Sequence, residues 1–285
     1  MHFHFPFAVS QVLWTLTFAA QLVLLVVLLG RERVTRYPWF TASIALFAVR
    51  LLSEVLLSGR LAIPTLRMVF IVLADLAAVV GLLVVAEIAR RAFGGLGRRG
   101  WAIGALVVLA VGGGVVAVWG PWPAWKDLIL DSPMAAFKLM QIAAQKADML
   151  VDVLTVELGL LVVLFGRHYK AGWQSHTQRI VIGLSTVAIS WLSIEGVWQI
   201  IARTAHPQSR AEYERILDLG NKMVNANKVV YIAALLWWIA CLWLDEPGTA
   251  EAKPKTGPLP IPENEFAEER LDEMEAGEAG GHGQA

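Results

Sequence analysis

The 285-residue sequence holds one cysteine, Cys241, and only 17% of its residues are charged. A single thiol excludes a disulfide framework, a CxxC redox motif and a zinc ribbon. The scarce charge is also balanced, 24 basic residues against 24 acidic ones, which excludes a strongly basic nucleic-acid binder. Histidine occurs six times, at positions 2, 4, 168, 176, 206 and 282, and always outside the long apolar stretches. Intramembrane zinc hydrolysis, serine-histidine proteolysis and haem binding all depend on histidine near the chemistry and are disfavoured. No HExxH and no P-loop is present. Gly95, Gly97 and Gly100 match GxGxxG, but they follow an apolar span instead of a strand and read as a flexible basic turn.

What the chain has in abundance is apolar sequence: 56% hydrophobic residues and a mean hydropathy of +0.57. Crossing the ~30 Å hydrocarbon layer takes about 20 helical residues. Seven stretches qualify, near 7–29, 39–57, 68–88, 101–120, 147–165, 180–201 and 229–244. The first lacks the basic leader and small-residue cleavage site of a signal peptide and is expected to be retained. The expected fold is therefore all-α, a polytopic membrane protein with a seven-transmembrane-helix bundle over residues 1–245.

Orientation follows the basic residues of short loops. The loops after the first, third and fifth spans carry 10 basic residues in 35 positions, and the segments on the other side carry 10 in 69. This predicts a plasma-membrane protein with its N-terminus outside and its C-terminus in the cytoplasm. Tyr37, Trp39, Trp101, Tyr169, Trp173 and Trp243 then form an inner aromatic belt, and Trp119, Trp122, Trp125 and Trp198 an outer one. Outside, Ser132 and Pro133 read as the start of a helix running to Phe165. Residues 209–215 read as a short surface helix broken at Gly220.

Residues 246–285 hold five prolines and few large apolar residues, so the tail is expected to be disordered. Phe266, Leu271 and Met274 fit one side of a helix formed on a protein partner, although a purely solvating tail is the simpler reading. The neutral total conceals a division. Residues 1–244 carry +8 and residues 245–285 carry −8. An acidic tail on the same side as the arginine-rich loops is expected to compete with anionic lipid for them.

Ionisable residues inside a span are costly and mark candidate sites. Here they are Arg50 and Glu54 in the second span, Asp75 in the third, Asp152 and Glu157 in the fifth, and Glu195 in the sixth. Glu54, Asp75, Asp152 and Glu195 are expected in one layer roughly 5 to 11 Å below the outer surface, with Arg50 and Glu157 nearer the midplane. Glu87, beside Arg90 and Arg91, is expected to reach water. At helical spacing Lys138, Gln141, Gln145, Asp148, Asp152 and Thr155 form a polar stripe on the fifth span. Ser10, Thr17 and Gln21 form a milder one on the first. The layer either binds a cation, a proton or a basic ligand, or is a charge network that fixes helix packing.

No catalytic constellation stands out, no cofactor or metal is implied, and Lys228 lies too near a span end for a retinal Schiff base. The partner expected from composition is the lipid bilayer, with no nucleic acid. The leading expectation is a non-enzymatic sensor, receptor-like protein or accessory subunit with an outward-facing polar cavity. The alternative is a proton- or cation-coupled carrier using the carboxylate layer, and an intramembrane enzyme working through carboxylates alone comes third.

Overall fold

A computed structural model describes residues 9–57, 59–95, 97–119, 133–165, 175–205 and 209–245. Among them every regular element is a helix: α1 (Val9–Gly30), α2 (Arg33–Arg36), α3 (Pro38–Leu57), α4 (Ile63–Ala92), α5 (Arg98–Val118), α6 (Pro133–Phe165), α7 (His176–Thr204) and α8 (Arg210–Trp243). Six of these, all but α2 and α6, are long and apolar enough to cross a membrane. Between 11% and 28% of each apolar stretch is buried inside the bundle. The rest of that surface, with side chains such as Leu106, Val118 and Ile200, faces outward, as in a protein whose solvent is lipid. The chain is a multi-pass helical membrane protein. The tail expected to be disordered, with Phe266, Leu271 and Met274, lies outside the described residues, as do His2, His4, Trp122 and Trp125.

Contacts between named residues fix the direction of each helix. Gln21 on α1 donates to the Tyr231 hydroxyl of α8 at 3.0 Å, and Arg33 just past α1 meets Asp245 just past α8 at 3.3 Å, so these two helices are parallel. Phe40 at the start of α3 bonds Glu87 near the end of α4, which makes that pair antiparallel. Arg67 meets Gln141, and further along Gly81 lies against Val151, so α4 and α6 run together. Gly112 faces Leu154, and Lys146 donates to the Trp119 carbonyl, so α5 opposes α6. Ser185 donates to the Thr155 carbonyl at 3.0 Å, and Trp238 to that of Ile180 at 3.3 Å, which sets α7 against both α6 and α8. Seven long helices thus alternate in direction, and α6 packs among them.

The last 18 residues of α6 hold Asp148, Asp152 and Glu157, too much charge for a helix bathed in lipid. Its position resolves the conflict, because α4, α5 and α7 all pack against it. Bare glycine backbone allows close approach on both sides of α7, to α6 and to α8. At Gly159 a methyl group would overlap the Ser185 hydroxyl, and at Gly183 it would overlap the Trp238 indole.

The apolar core lies at one end of the bundle, where the arginines of the short loops gather. Leu24 and Leu28 (α1), Phe40 and Ile44 (α3), Val84 and Ile88 (α4), Leu158 and Val162 (α6), Ile180 (α7), and Trp238 and Leu242 (α8) form one buried cluster there. Phe40 meets Trp238 edge-on, with ring centroids 5.2 Å apart. This is the basic end. At the opposite end the interior positions are half-buried and polar.

Several local expectations change. Gly220 does not break α8, which runs from its Ser209 cap to Trp243. A helical glycine costs only about 1 kcal/mol, and here the bare backbone lets the Trp198 ring pack closely. Tyr37 is not part of an interfacial belt. It is fully buried, and its hydroxyl is 2.9 Å from that of Thr177. His176 is not outside the spans, because α7 begins there with its imidazole completely buried. Glu87 does not reach for water either. It is buried against the first turn of α3.

Candidate functional site

Packing contacts give each ionisable group a height, measured from the Phe40–Glu87 hydrogen bond toward the end opposite the basic one. Arg50 is ten residues along α3 from Phe40, about 15 Å up. Asp75 is twelve residues before Glu87 on α4, about 18 Å up. Gly81 and Val151 touch, which places Asp148 about 14 Å and Asp152 about 8 Å up. Ser185 bonds the carbonyl of Thr155, so Glu195 on α7 stands at about 18 Å. Glu54 is about 21 Å up and exposed at the end of α3. Glu157 falls level with Glu87, near the basic end.

The layer therefore has a different membership from the one the sequence suggests. Arg50, Asp75 and Asp148 share a level, each half-buried. Arg50 and Asp75 both act electrostatically on Asp148, and Asp148 acts on Asp152 one turn deeper. Three helices thus bring Arg50, Asp75 and Asp148 within electrostatic reach, and Asp148 in turn reaches Asp152 on its own helix. Asp148 is the member that span boundaries hide, since it sits at the edge of the apolar stretch, yet the stripe through Gln141, Gln145, Asp148 and Asp152 contains it. Along that stripe exposure falls from the exposed Gln141 and Gln145 to the buried Thr155, so polar side chains line a descent into the bundle.

Two candidates stand apart from this group. Glu195 accepts from Gln199 at 3.4 Å on its own helix and faces Lys146 electrostatically. Glu157 points into the α5–α6 contact, 3.6 Å from where a side chain on Gly112 would begin. Its Oε2 is buried with no hydrogen-bond partner among the described residues.

From the level of the acidic group toward the basic end the helices are tied together. Gln21 and Tyr231 bridge α1 and α8, Ser185 ties α7 to α6, and the apolar core fills the space beneath. Among the described residues no three His, Cys, Asp or Glu side chains come together as a metal site.

No family model matches the chain, and neither does a curated protein or a solved structure.

Proposed function

We propose that the chain is a seven-span, receptor-like membrane protein that takes a proton or an organic cation at Arg50, Asp75, Asp148 and Asp152, from the side opposite the basic end. The carrying observation is the polar cluster held by α3, α4 and α6 above a sealed apolar core. In this reading α6 is the seventh span. Its charges are tolerated because other helices shield it, and the arginines of the basic end put that end and the C-terminus in the cytoplasm. The protein sits in the plasma membrane with its N-terminus outside. A ligand that neutralises the carboxylates changes how α4 and α6 pack, and those helices end at the cytoplasmic face, where a readout belongs. Glu195 with Lys146, at the same height, belongs to the rim, and Glu54 marks the mouth. A carrier is the second reading, favoured by the excess of carboxylates over the single arginine.

Two measurements on vesicles and purified protein separate the readings. Thermal shifts with arginine, spermidine and tetramethylammonium should show stabilisation by at least one cation, lost in Asp148→Asn and Asp152→Asn. Proton and cation flux should be absent. Flux that vanishes in Asp152→Asn overturns the receptor reading in favour of the carrier. No shift with any cation, no dependence on pH and no flux would leave the cluster a packing device.

A further inference from the structure

At the basic end a groove of about 420 Å³ opens between the start of α3 and the end of α4, lined by Pro38, Trp39, Leu83, Ala86, Glu87, Arg90 and Arg91. Its volume lies in the ~300 to 1,000 Å³ range of ligand pockets. We infer that this groove holds the headgroup and upper acyl chain of one anionic phospholipid.

The lining changes character with depth. Leu83, Ala86 and Arg90 recur at three- and four-residue spacing along one face of α4. The apolar pair lies toward the membrane interior and the arginine at the mouth, the gradient that an amphiphile has along its length. Trp39 is 43% exposed on the facing wall, at the level where indole rings sit between hydrocarbon and water.

The electrostatics favour an anion. Arg90 is exposed and makes no ion pair or hydrogen bond among the described residues. Arg91 is held in place, 3.8 Å from Glu87 and 4.9 Å over the Tyr37 ring. Arg36 approaches the same ring at 5.7 Å. Two guanidiniums, Arg90 and Arg91, thus line the groove against a single carboxylate. That carboxylate is 6% exposed and turned to the Phe40 amide. The charge offered to a ligand is therefore positive, and basic pockets between spans at a cytoplasmic face are where anionic headgroups bind.

The full chain, purified in detergent with phosphatidylglycerol or phosphatidylcholine added in equal amounts, tests the assignment by native mass spectrometry. One phosphatidylglycerol should be retained in preference to phosphatidylcholine. Arg90→Ala should lower that retention about fivefold, the effect of one cation beside an anionic headgroup, and Arg90→Lys should keep most of it. Ala86→Trp fills the groove without changing charge and should also lose the lipid. Arg60→Ala, at the opposite end, should change nothing. Equal retention of both lipids, or full retention by Arg90→Ala, overturns the proposal. Displacement of the lipid by inorganic phosphate at matched concentration overturns the acyl-chain part of it and leaves a phosphate site.

Discussion

The carboxylate of Glu87 accepts the backbone N–H of Phe40 at 3.1 Å, so the last turns of α4 cap the first turn of α3. The opening N–H groups of a helix have no partner within it. Near the apolar centre of the core, water is a poor substitute. An acid that looks like a surface residue in the sequence therefore joins two helices at the level where Tyr37 meets Thr177 and Phe40 meets Trp238.

Replacing this acceptor leaves a buried donor unsatisfied. Glu87→Ala should cost about 1 to 3 kcal/mol, read as a lower melting temperature in detergent by tryptophan fluorescence. Glu87→Gln keeps an acceptor and should lose less. An alanine variant as stable as the parent would remove the cap from the account.

Gly183 and Gly113 make a paired test of close packing. An added methyl at Gly183 would sit 2.6 Å from Cε2 of Trp238, whereas at Gly113 it meets nothing within 4 Å. Gly183→Ala should destabilise by about 1 to 3 kcal/mol, and Trp238→Phe in the same chain should recover part of that. Gly113→Ala should be neutral, or stabilising by up to about 1 kcal/mol from helix propensity. Equal effects at the two sites would mean that α7 and α8 are not so closely apposed.

The long helices were legible because apolar runs of twenty or more residues have few alternatives, and Pro133 to Phe165 was readable as one helix from its start signal. What the sequence could not supply was relative height. A depth counted from an inferred span end carries that end's error, and α4 begins at Ile63, five residues before the expected Met68. An offset of that size is enough to exchange Asp148 and Asp152, which lie one turn apart. Pair contacts such as Gly81 with Val151 remove the error, because they measure one helix against another. His176 is hidden in the same way, since the apolar run of α7 starts at Ile180 while the helix starts one turn earlier under its Ser175 cap.

Arg50 on α3 and Asp75 on α4 both act electrostatically on Asp148 of α6. Truncating one partner of a buried charge group leaves the others uncompensated. Arg50→Ala should therefore destabilise strongly, by about 3 kcal/mol or more, while Arg50→Ala with Asp148→Asn should recover much of the loss. The measurement is a double-mutant cycle of melting temperatures. Strict additivity would place the two side chains outside one another's reach.

Glu157 offers the opposite case, a carboxylate whose Oε2 is buried against α5 without a hydrogen-bond partner among the described residues. A buried unsatisfied polar atom costs about 1 to 3 kcal/mol, so Glu157→Leu should melt higher than the parent if the group serves packing alone. A lower melting temperature would show that the carboxylate has a partner the bare chain does not provide.

The number of crossings turns on α6, and the position of Ser175 decides it. If α6 crosses, Ser175 lies on the same side as Gly95, and Gly59 and Ser209 lie together on the other. If α6 lay outside the bilayer, the chain would reach α7 from the far side and Ser175 would join Gly59. Single cysteines at these four positions, in a Cys241→Ala background, can be labelled in sealed vesicles with a membrane-impermeant maleimide. The seven-crossing arrangement expects Gly95→Cys and Ser175→Cys to react together and Gly59→Cys and Ser209→Cys to react from the opposite face. The alternation of helix directions supports that outcome, because Arg33 and Asp245, at the ends of the first and last long helices, meet at one end of the bundle. With α6 outside the bilayer, the five remaining crossings between Arg33 and Asp245 would put them on opposite sides.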